Sequence, residues 1–296
     1  MRVTHNQIYN NLNAAINKQL QVRADGNANI ASGTRFQRPS QAGLDYKISL
    51  DLRHTQTQIN GSIEALSVAD SRLSASQTLL ININNVLTRA QTLAVQQASA
   101  NVGPAERQAT AVEVRHLMDQ VANSANQTWL GESLFSGTDI NAVAFTLDPN
   151  DPTATYQYQG STQDRVVAIN ENQNITTNIR GDEQAFADTF SALKGFITAL
   201  EQNSVIGITS AIGSLTSAGN GVIDLTSRIG GQINAIQSYS QSYVDMQFAV
   251  DKRMGQHETA DIAKLVAEMQ TADVALQAAY SQIANMKSMS LINYLR

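Results

Sequence analysis

The sequence predicts a mainly α protein: a long antiparallel helical bundle or coiled coil built from both halves of the chain, with a small β-rich inserted domain. Three apolar ladders with a seven-residue period indicate the helices. Aromatic residues make up only 5% of the chain, which favours long helices that touch along narrow stripes over a compact aromatic-rich core. A central segment of alternating residues with prolines and glycines indicates the insertion.

The first ladder is the strongest helical signal. Apolar residues every seven positions make one side of a helix adhesive toward other helices, and this run would span roughly 63 Å at a rise of 1.5 Å per residue. An offset register with small residues, such as Ala69 and Ala90, allows close helix contact. The members of the ladder are Leu52, Ile59, Leu66, Leu73, Leu80, Leu87 and Ala94.

Two further ladders lie in the second half of the chain. One runs from Val222 to Val250 and loses its phase near Gly255, which predicts a helix break or hinge at that glycine. The other begins at Ile262, with a second register that starts at Leu265. The second half therefore supplies at least two helices.

Glycine and proline mark the predicted boundaries. Gly103 and Pro104 end the first long helix and begin another that runs to about Trp129, which predicts a helical hairpin. The cluster Gly219-Asn220-Gly221 could suggest a phosphate loop, but no strand precedes it, so a helix boundary or tight turn is the preferred interpretation.

Both chain ends carry apolar stripes that are too narrow to hold a helix alone in water. Such stripes need a partner, which is either the other end of the chain or another copy, and we favour contact between copies. The predicted assembly interface consists of Ile8, Leu12, Ala15, Val22, Ile262, Leu265, Met269, Leu276, Ile283, Met286, Leu291 and Leu295.

Composition argues against several classes of function. The formal net charge is −5 and no Lys/Arg cluster is visible, so nucleic acid is not an expected partner. Cysteine is absent, which removes disulfides and thiolate chemistry. The sequence contains no stretch of about 20 apolar residues, so no membrane span is expected. The N-terminus lacks the apolar run of a cleavable signal peptide, so export would leave the start of the chain intact.

The sequence offers no catalytic, cofactor-binding or metal-binding residues. The four histidines have no ligand spacing, and the nearest candidate, His257-Glu258 with Asp261, lacks a third ligand of the right kind. No G-x-S-x-G element or other nucleophile with its base can be named. An enzyme is therefore the weakest alternative, and no cofactor is expected.

Residues 30–43, 134–138 and 275–295 form three segments that resemble the bacterial flagellin family and its hook-associated relatives. Residues 30–43 (IASGTRFQRPSQAG) are similar to the turn after the first helix of that family, and residues 134–138 (LFSGT) to a Phe-Ser-Gly element of its hook–filament junction members. Residues 275–295 are similar to the end of those junction members, and a Pro-Gln-Ser-Val-Leu type of flagellin tail is absent. Trp129-Leu130-Gly131-Glu132 departs from the family pattern.

The resemblance implies a structural subunit that joins the hook to the filament. Its terminal helices would form the inner layer of a hollow tube, with the β insertion outside. The implied partners are hook-associated protein 1, flagellin, a closed ring of about eleven copies of the chain itself, and a cytosolic flagellar export chaperone. The implied location is the extracellular flagellum, at the hook–filament junction, after type III export.

The alternatives that the sequence leaves open are a flagellin filament subunit and a non-flagellar coiled-coil interaction protein.

The domain organisation combines these expectations. The five predicted segments are 1–45, the inner-layer helix and loop; 46–130, a long helical hairpin; 131–181, a β-rich outer domain; 182–254, helices that complete the bundle; and 255–296, the C-terminal inner-layer helix.

Overall fold

The computed structural model describes residues 2–147, 155–170 and 173–292, and it confirms the mainly α fold of long helices that pack against each other. Within those ranges, three two-stranded antiparallel sheets lie between residues 128 and 176. The helices are α1 (Arg2–Ser32), α2 (Pro39–Ala42), α3 (Leu44–Gln97), α4 (Pro104–Ala125), α5 (Gln184–Glu201), α6 (Val205–Glu258) and α7 (Ile262–Ile292). The strands are β1 (Thr128–Trp129), β2 (Glu132–Ser133), β3 (Phe145–Thr146), β4 (Gln157–Tyr158), β5 (Val166–Asn170) and β6 (Gln173–Thr176).

The chain forms two compact units, each of which combines distant parts of the sequence. The terminal unit contains residues 1–59 and 246–296, and the central unit contains residues 60–245. Helices α3 and α6 contribute to both units. The five-segment division made from the sequence stays a prediction.

The core of the central unit uses the first ladder as the sequence predicts. Leu73, Leu80 and Leu87 are completely buried, as is Ala90 of the offset register. Residues of α4, α5 and α6 join the same hydrophobic cluster, which includes Val222 from the second ladder. Period-seven apolar residues on α3 and α6 therefore hold this bundle together.

Aromatic side chains are few, but most of the phenylalanines in the central unit lie together. Phe186 on α5 packs edge-on against Phe135 with ring centroids 5.3 Å apart, and it lies 5.3 Å from Phe145. The ring of Tyr156 is tilted against that of Phe190, with centroids 5.1 Å apart. The cluster joins α5 to the β-rich segment, so the expectation that a compact aromatic core is disfavoured is wrong for this part of the molecule.

Three predicted helix boundaries are wrong, each because of contacts that the sequence pattern does not show. Helix α4 ends at Ala125 rather than near Trp129, because the Asn126 side chain bonds both the N–H and the C=O of Phe145 at 2.7 and 2.8 Å. Gly219-Asn220-Gly221 lies inside α6, where a Cβ on Gly221 would come within 3.2 Å of Ala185, so the glycine permits close packing of α5 on α6.

The third wrong boundary is the break that the sequence places at Gly255. Helix α6 continues through Gly255 to Glu258, and α7 begins at Ile262. The side chain of Asp261 accepts a hydrogen bond from the backbone N–H of Lys264 at 3.0 Å, so it caps the new helix. The break between α6 and α7 follows from this cap and from the backbone pairing of Thr259 with Thr34.

Candidate assembly surface

The two terminal helices pack against each other along one narrow line, here called the seam. On α1 the buried seam residues are Ile16, at 7% exposure, and Gly26. On α7 they are Ala272 and Leu276, at 2% and 5%. Gly26 leaves room for the Met269 side chain of α7, because a Cβ at Gly26 would lie 2.9 Å from Met269 Cγ. The ends of the chain therefore pair within one molecule.

The predicted interface residues divide between the seam and the outside of the helix pair. Leu276 is buried, whereas Ile8, Val22 and Ile262 are 47%, 37% and 52% exposed. Ala15 is also exposed, and its neighbour Ile16 takes the seam position. Leu291 and Leu295 lie outside the residues whose side chains the structure describes. The partly buried members are Leu12, Leu265, Met269, Ile283 and Met286.

The chain leaves α1 and enters α7 at a structure here called the corner, formed by residues 33–36 and 258–260. Gly33 has φ +70°, a conformation that strongly favours glycine, and this residue ends α1. Phe36 is buried and packs edge-on against Tyr46 at 6.0 Å. The backbone contacts are an antiparallel bridge between Thr34 and Thr259, the hydrogen bond from Arg35 N to Glu258 O (2.6 Å) and that from Ala260 N to Gly33 O (3.0 Å).

Charged side chains reinforce the corner. Arg53 on α3 donates Nε and Nη2 to the two carboxylate oxygens of Glu258, at 2.9 and 2.7 Å, and Ser49 donates to the same carboxylate. These hydrogen bonds from Arg53 and Ser49 hold the pKa of Glu258 below its ordinary value, although burial opposes the shift. Asp45 faces this cluster with Arg35 at 3.3 Å and His257 at 3.5 Å. The motif at residues 30–43 therefore has a structural role, since it forms a joint where α1 and α6 end and α3 and α7 begin.

Acid is expected to loosen the corner through Glu258. The pKa of Glu258 is lower in the folded chain than its ordinary value of 4.5. The ionised carboxylate therefore stabilises the corner above pH 4.5, and this stabilisation is lost as the pH falls below that value. Hydrogen bonds to charged groups contribute about 1.5–3 kcal/mol. We expect the hydrogen-exchange protection of the Arg35 and Ala260 amides, relative to the intrinsic rate at each pH, to fall about 10- to 100-fold between pH 7 and pH 3.

Glu258→Gln provides the matched comparison, because the amide keeps the shape of the side chain but cannot titrate. The variant should show weaker protection at pH 7 and little further loss between pH 7 and pH 3. If Glu258→Gln lost as much hydrogen-exchange protection between pH 7 and pH 3 as the wild type, other titrating groups would be the cause of the loss.

The comparisons with known proteins agree with this architecture. The family described as the bacterial flagellin N-terminal helical region matches residues 3–139. Flagellar hook-associated protein 3 of Salmonella typhimurium is 21% identical, and the alignment covers 100% of both chains. This chain is a homologue of flagellar hook-associated protein 3. The relatives that it matches carry the names of flagellar proteins.

A further relative and two solved structures are also similar to this chain. The Clostridium tyrobutyricum flagellin is 28% identical over 66% of this chain and 50% of that protein. The crystal structure of Bacillus cereus FlgL matches with a TM-score of 0.59, at 20% identity over 69% of this chain and 99% of that one. The flagellar junction protein FlgL from Legionella pneumophila matches with a TM-score of 0.55, at 15% identity over 65% and 99%. These structures share the fold.

Sequence reasoning missed the residues that build the corner. Glu258 appeared only as part of a poor metal candidate, and its carboxylate binds Arg53 and Ser49 instead. Within the described ranges, no group of three metal-binding side chains is found and no helix is long and apolar enough to cross a bilayer. The loss of heptad phase after Val250 was the available signal for a joint, but it could not locate the joint to the residue.

Proposed function

We propose that this chain joins the flagellar hook to the filament, as a ring of copies whose terminal helix pairs pack side by side into a tubular inner layer. The observation that carries the proposal is the apolar surface that the seam leaves uncovered. Tyr9 and Leu20 on α1 are 41% and 43% exposed, and Val266, Val274 and Tyr280 on α7 are 40%, 67% and 53% exposed.

The positions of these side chains argue for neighbours on more than one side. The seam side of α7 contains Ala272 and Leu276, while Val274 lies two residues from each, on the far side of the helix. A helix that is apolar on opposite sides is typical of one surrounded by protein. Neighbouring copies would supply that protein in a closed ring.

The same proposal includes partners on either side of the ring. Hook-associated protein 1 would lie below it and flagellin above it, and about eleven copies would close it. Before export, a cytosolic chaperone would cover the exposed apolar residues of α7. The chain would leave the cell through the flagellar export apparatus with its N-terminus uncleaved, and it would act without catalysis. The homology supports the junction role, and these finer features are our inference.

Deletion of the gene should leave cells that make filament protein but shed it into the medium, because the connection between hook and filament is missing. Immunogold labelling of this chain in isolated hook–filament preparations should give one band at the junction. Microscopy of the labelled preparations and the amount of filament protein in the medium are the measurements. Label along the whole filament would instead support a flagellin, the alternative suggested by the 28% identical flagellin relative.

A further inference from the structure

A row of side chains beside the apolar ladders connects α3 to α6, and it is here called the flank. On α3 the row follows the offset register by one position, so Asp70 comes after Ala69 and Gln91 comes after Ala90. On α6 the row has the same seven-residue period. The α3 members are Ser49, Gln56, Ile63, Asp70, Gln77, Asn84 and Gln91, and the α6 members are Thr216, Ile223, Gly230, Gln237, Val244, Asp251 and Glu258.

The contacts along the flank follow a single antiparallel alignment. In the central unit the contacting pairs are Asp70 with Gln237 (Oδ1 to Nε2, 3.3 Å), Gln77 with Gly230 (Nε2 to the position of a Cβ, 3.7 Å) and Gln91 with Thr216 (Nε2 to Oγ1, 3.4 Å). In the terminal unit they are Gln56 with Asp251 (Nε2 to Oδ1, 2.5 Å) and Ser49 with Glu258. The two residue numbers of every one of these pairs add up to 307. By the same alignment, Ile63 faces Val244.

The apolar ladders alone do not define this register. On α3 the ladder repeats one residue type, at Leu66, Leu73, Leu80 and Leu87. On α6 the corresponding Val222, Ile229 and Ile236 are all β-branched. A shift of α3 along α6 by seven residues, about 10 Å, would therefore bring similar apolar side chains together again.

The same shift would break the flank in either direction. In one direction Ile63 would face Asp251, and in the other direction it would face Gln237. Asp70 would lose its hydrogen bond from Gln237 in both cases. Only the observed alignment places the apolar Ile63 opposite the apolar Val244, so the flank discriminates between registers that the ladders leave equivalent.

We propose that the flank selects the register in which α3 and α6 pair during folding, and thereby aligns the helix ends that form the corner. Ser49 lies in the second turn of α3, and its partner Glu258 is the last residue of α6. A seven-residue shift would separate these two residues by about 10 Å along the helix pair. The bridge between Thr34 and Thr259 could not form beside them. The flank members are therefore positioning residues for the corner.

The absence of cysteine allows the register to be measured in the purified full-length chain. Ile63→Cys combined with Val244→Cys reports the observed register. Ile63→Cys combined with Asp251→Cys, or with Gln237→Cys, reports a shift by seven residues in one direction or the other. A short bis-maleimide, added during refolding from urea, joins only cysteines that lie close together. The pair for the observed register should give a yield at least about tenfold higher than either shifted pair.

Four alanine substitutions on α3 remove polar members of the flank: Gln56→Ala, Asp70→Ala, Gln77→Ala and Gln91→Ala. Alanine favours helix, so α3 should form at least as readily as in the wild type. The yield of shifted cross-links should rise at least about fivefold, since each exposed polar pair contributes a small factor and several are lost together. The matched control changes the exposed residue that follows each of these positions, and it should cross-link like the wild type: Thr57→Ala, Ser71→Ala, Thr78→Ala and Thr92→Ala.

A milder variant keeps the test decisive if the fourfold variant does not refold. Asp70→Ala with Gln237→Ala removes one pair from both helices, and with the Asp251→Cys reporter it should raise the shifted yield about twofold. Cooperative urea unfolding followed by Trp129 fluorescence verifies that each variant has a folded central unit.

Shifted cross-links that are no more frequent in the flank variants than in the control would overturn the proposal. So would shifted yields in the wild-type background that equal the yield of the observed register. The proposal goes beyond the junction role, because it concerns how a single chain folds. Its result therefore stands apart from the effect of deleting the gene, which tests the junction role alone.

Discussion

Phe186→Ala should lower the free energy of unfolding of the central unit by about 3–5 kcal/mol, the range for truncation of a buried phenylalanine. Phe186 is 1% exposed, and its ring contacts Phe135 and Phe145, each with centroids 5.3 Å away. Removing it opens a cavity between α5 and the β-rich segment and deprives Phe135 and Phe145 of their contacts with its ring. The single tryptophan, Trp129, packs against the same core and reports unfolding by fluorescence in urea.

Two variants make this measurement interpretable. Phe186→Leu keeps most of the apolar volume and should cost less than about 1.5 kcal/mol. Val112→Ala removes an apolar side chain that is 50% exposed on α4 and should stay within about 0.5 kcal/mol of the wild type. A loss for Phe186→Ala no larger than that of Val112→Ala would mean that the aromatic cluster does not hold the β-rich segment to the bundle.

The helical architecture was predictable because it depends on a repeat that is visible in the sequence. Period-seven spacing predicts which residues of α3 face other helices, and Leu66, Leu73, Leu80 and Leu87 are buried as that spacing requires. Pro104 also begins α4 as predicted. These signals are local, since each depends on the order of residues within one helix.

The misplaced boundaries depend on contacts between residues that are distant in sequence. Helix α4 ends early because Asn126 bonds Phe145, 19 residues away. The joint before α7 lies at Thr259 because Thr34 pairs with it across more than 200 residues of chain. No periodicity within a helix carries such information. The aromatic cluster was missed for the same reason, because Phe135 and Phe186 meet only after folding.

The candidate assembly surface was predictable at the level of helices but not of faces. The terminal stripes predict that α1 and α7 need partners, and the two helices do pack against each other, yet narrow stripes leave the angular position of the contact open by about one residue. Ile16 rather than Ala15 occupies the seam, and the role of Gly26 is visible only beside Met269. The assembly role of these helices remains a prediction.

Leu276→Asp should abolish incorporation into the flagellum while leaving the central unit folded. The substitution places a carboxylate at a seam position that is 5% exposed, with Ala272 one turn away. A buried charge without a partner costs several kcal/mol, and Asp is also a poor helix former, so the α1–α7 pair should separate. In cells that lack the native gene, the variant should be absent from isolated hook–filament preparations, and filament protein should accumulate in the medium.

Val112→Asp is the control, because it adds the same carboxylate at an exposed site on α4, outside the terminal helices. Both variants should retain the wild-type urea midpoint of Trp129 fluorescence, which reports the central unit. Only Leu276→Asp should lose incorporation, since only that variant separates α1 from α7. Neighbouring copies need these two helices to be paired before they can pack against them. If Leu276→Asp assembled into flagella in normal amounts, the paired terminal helices would not be the assembly element.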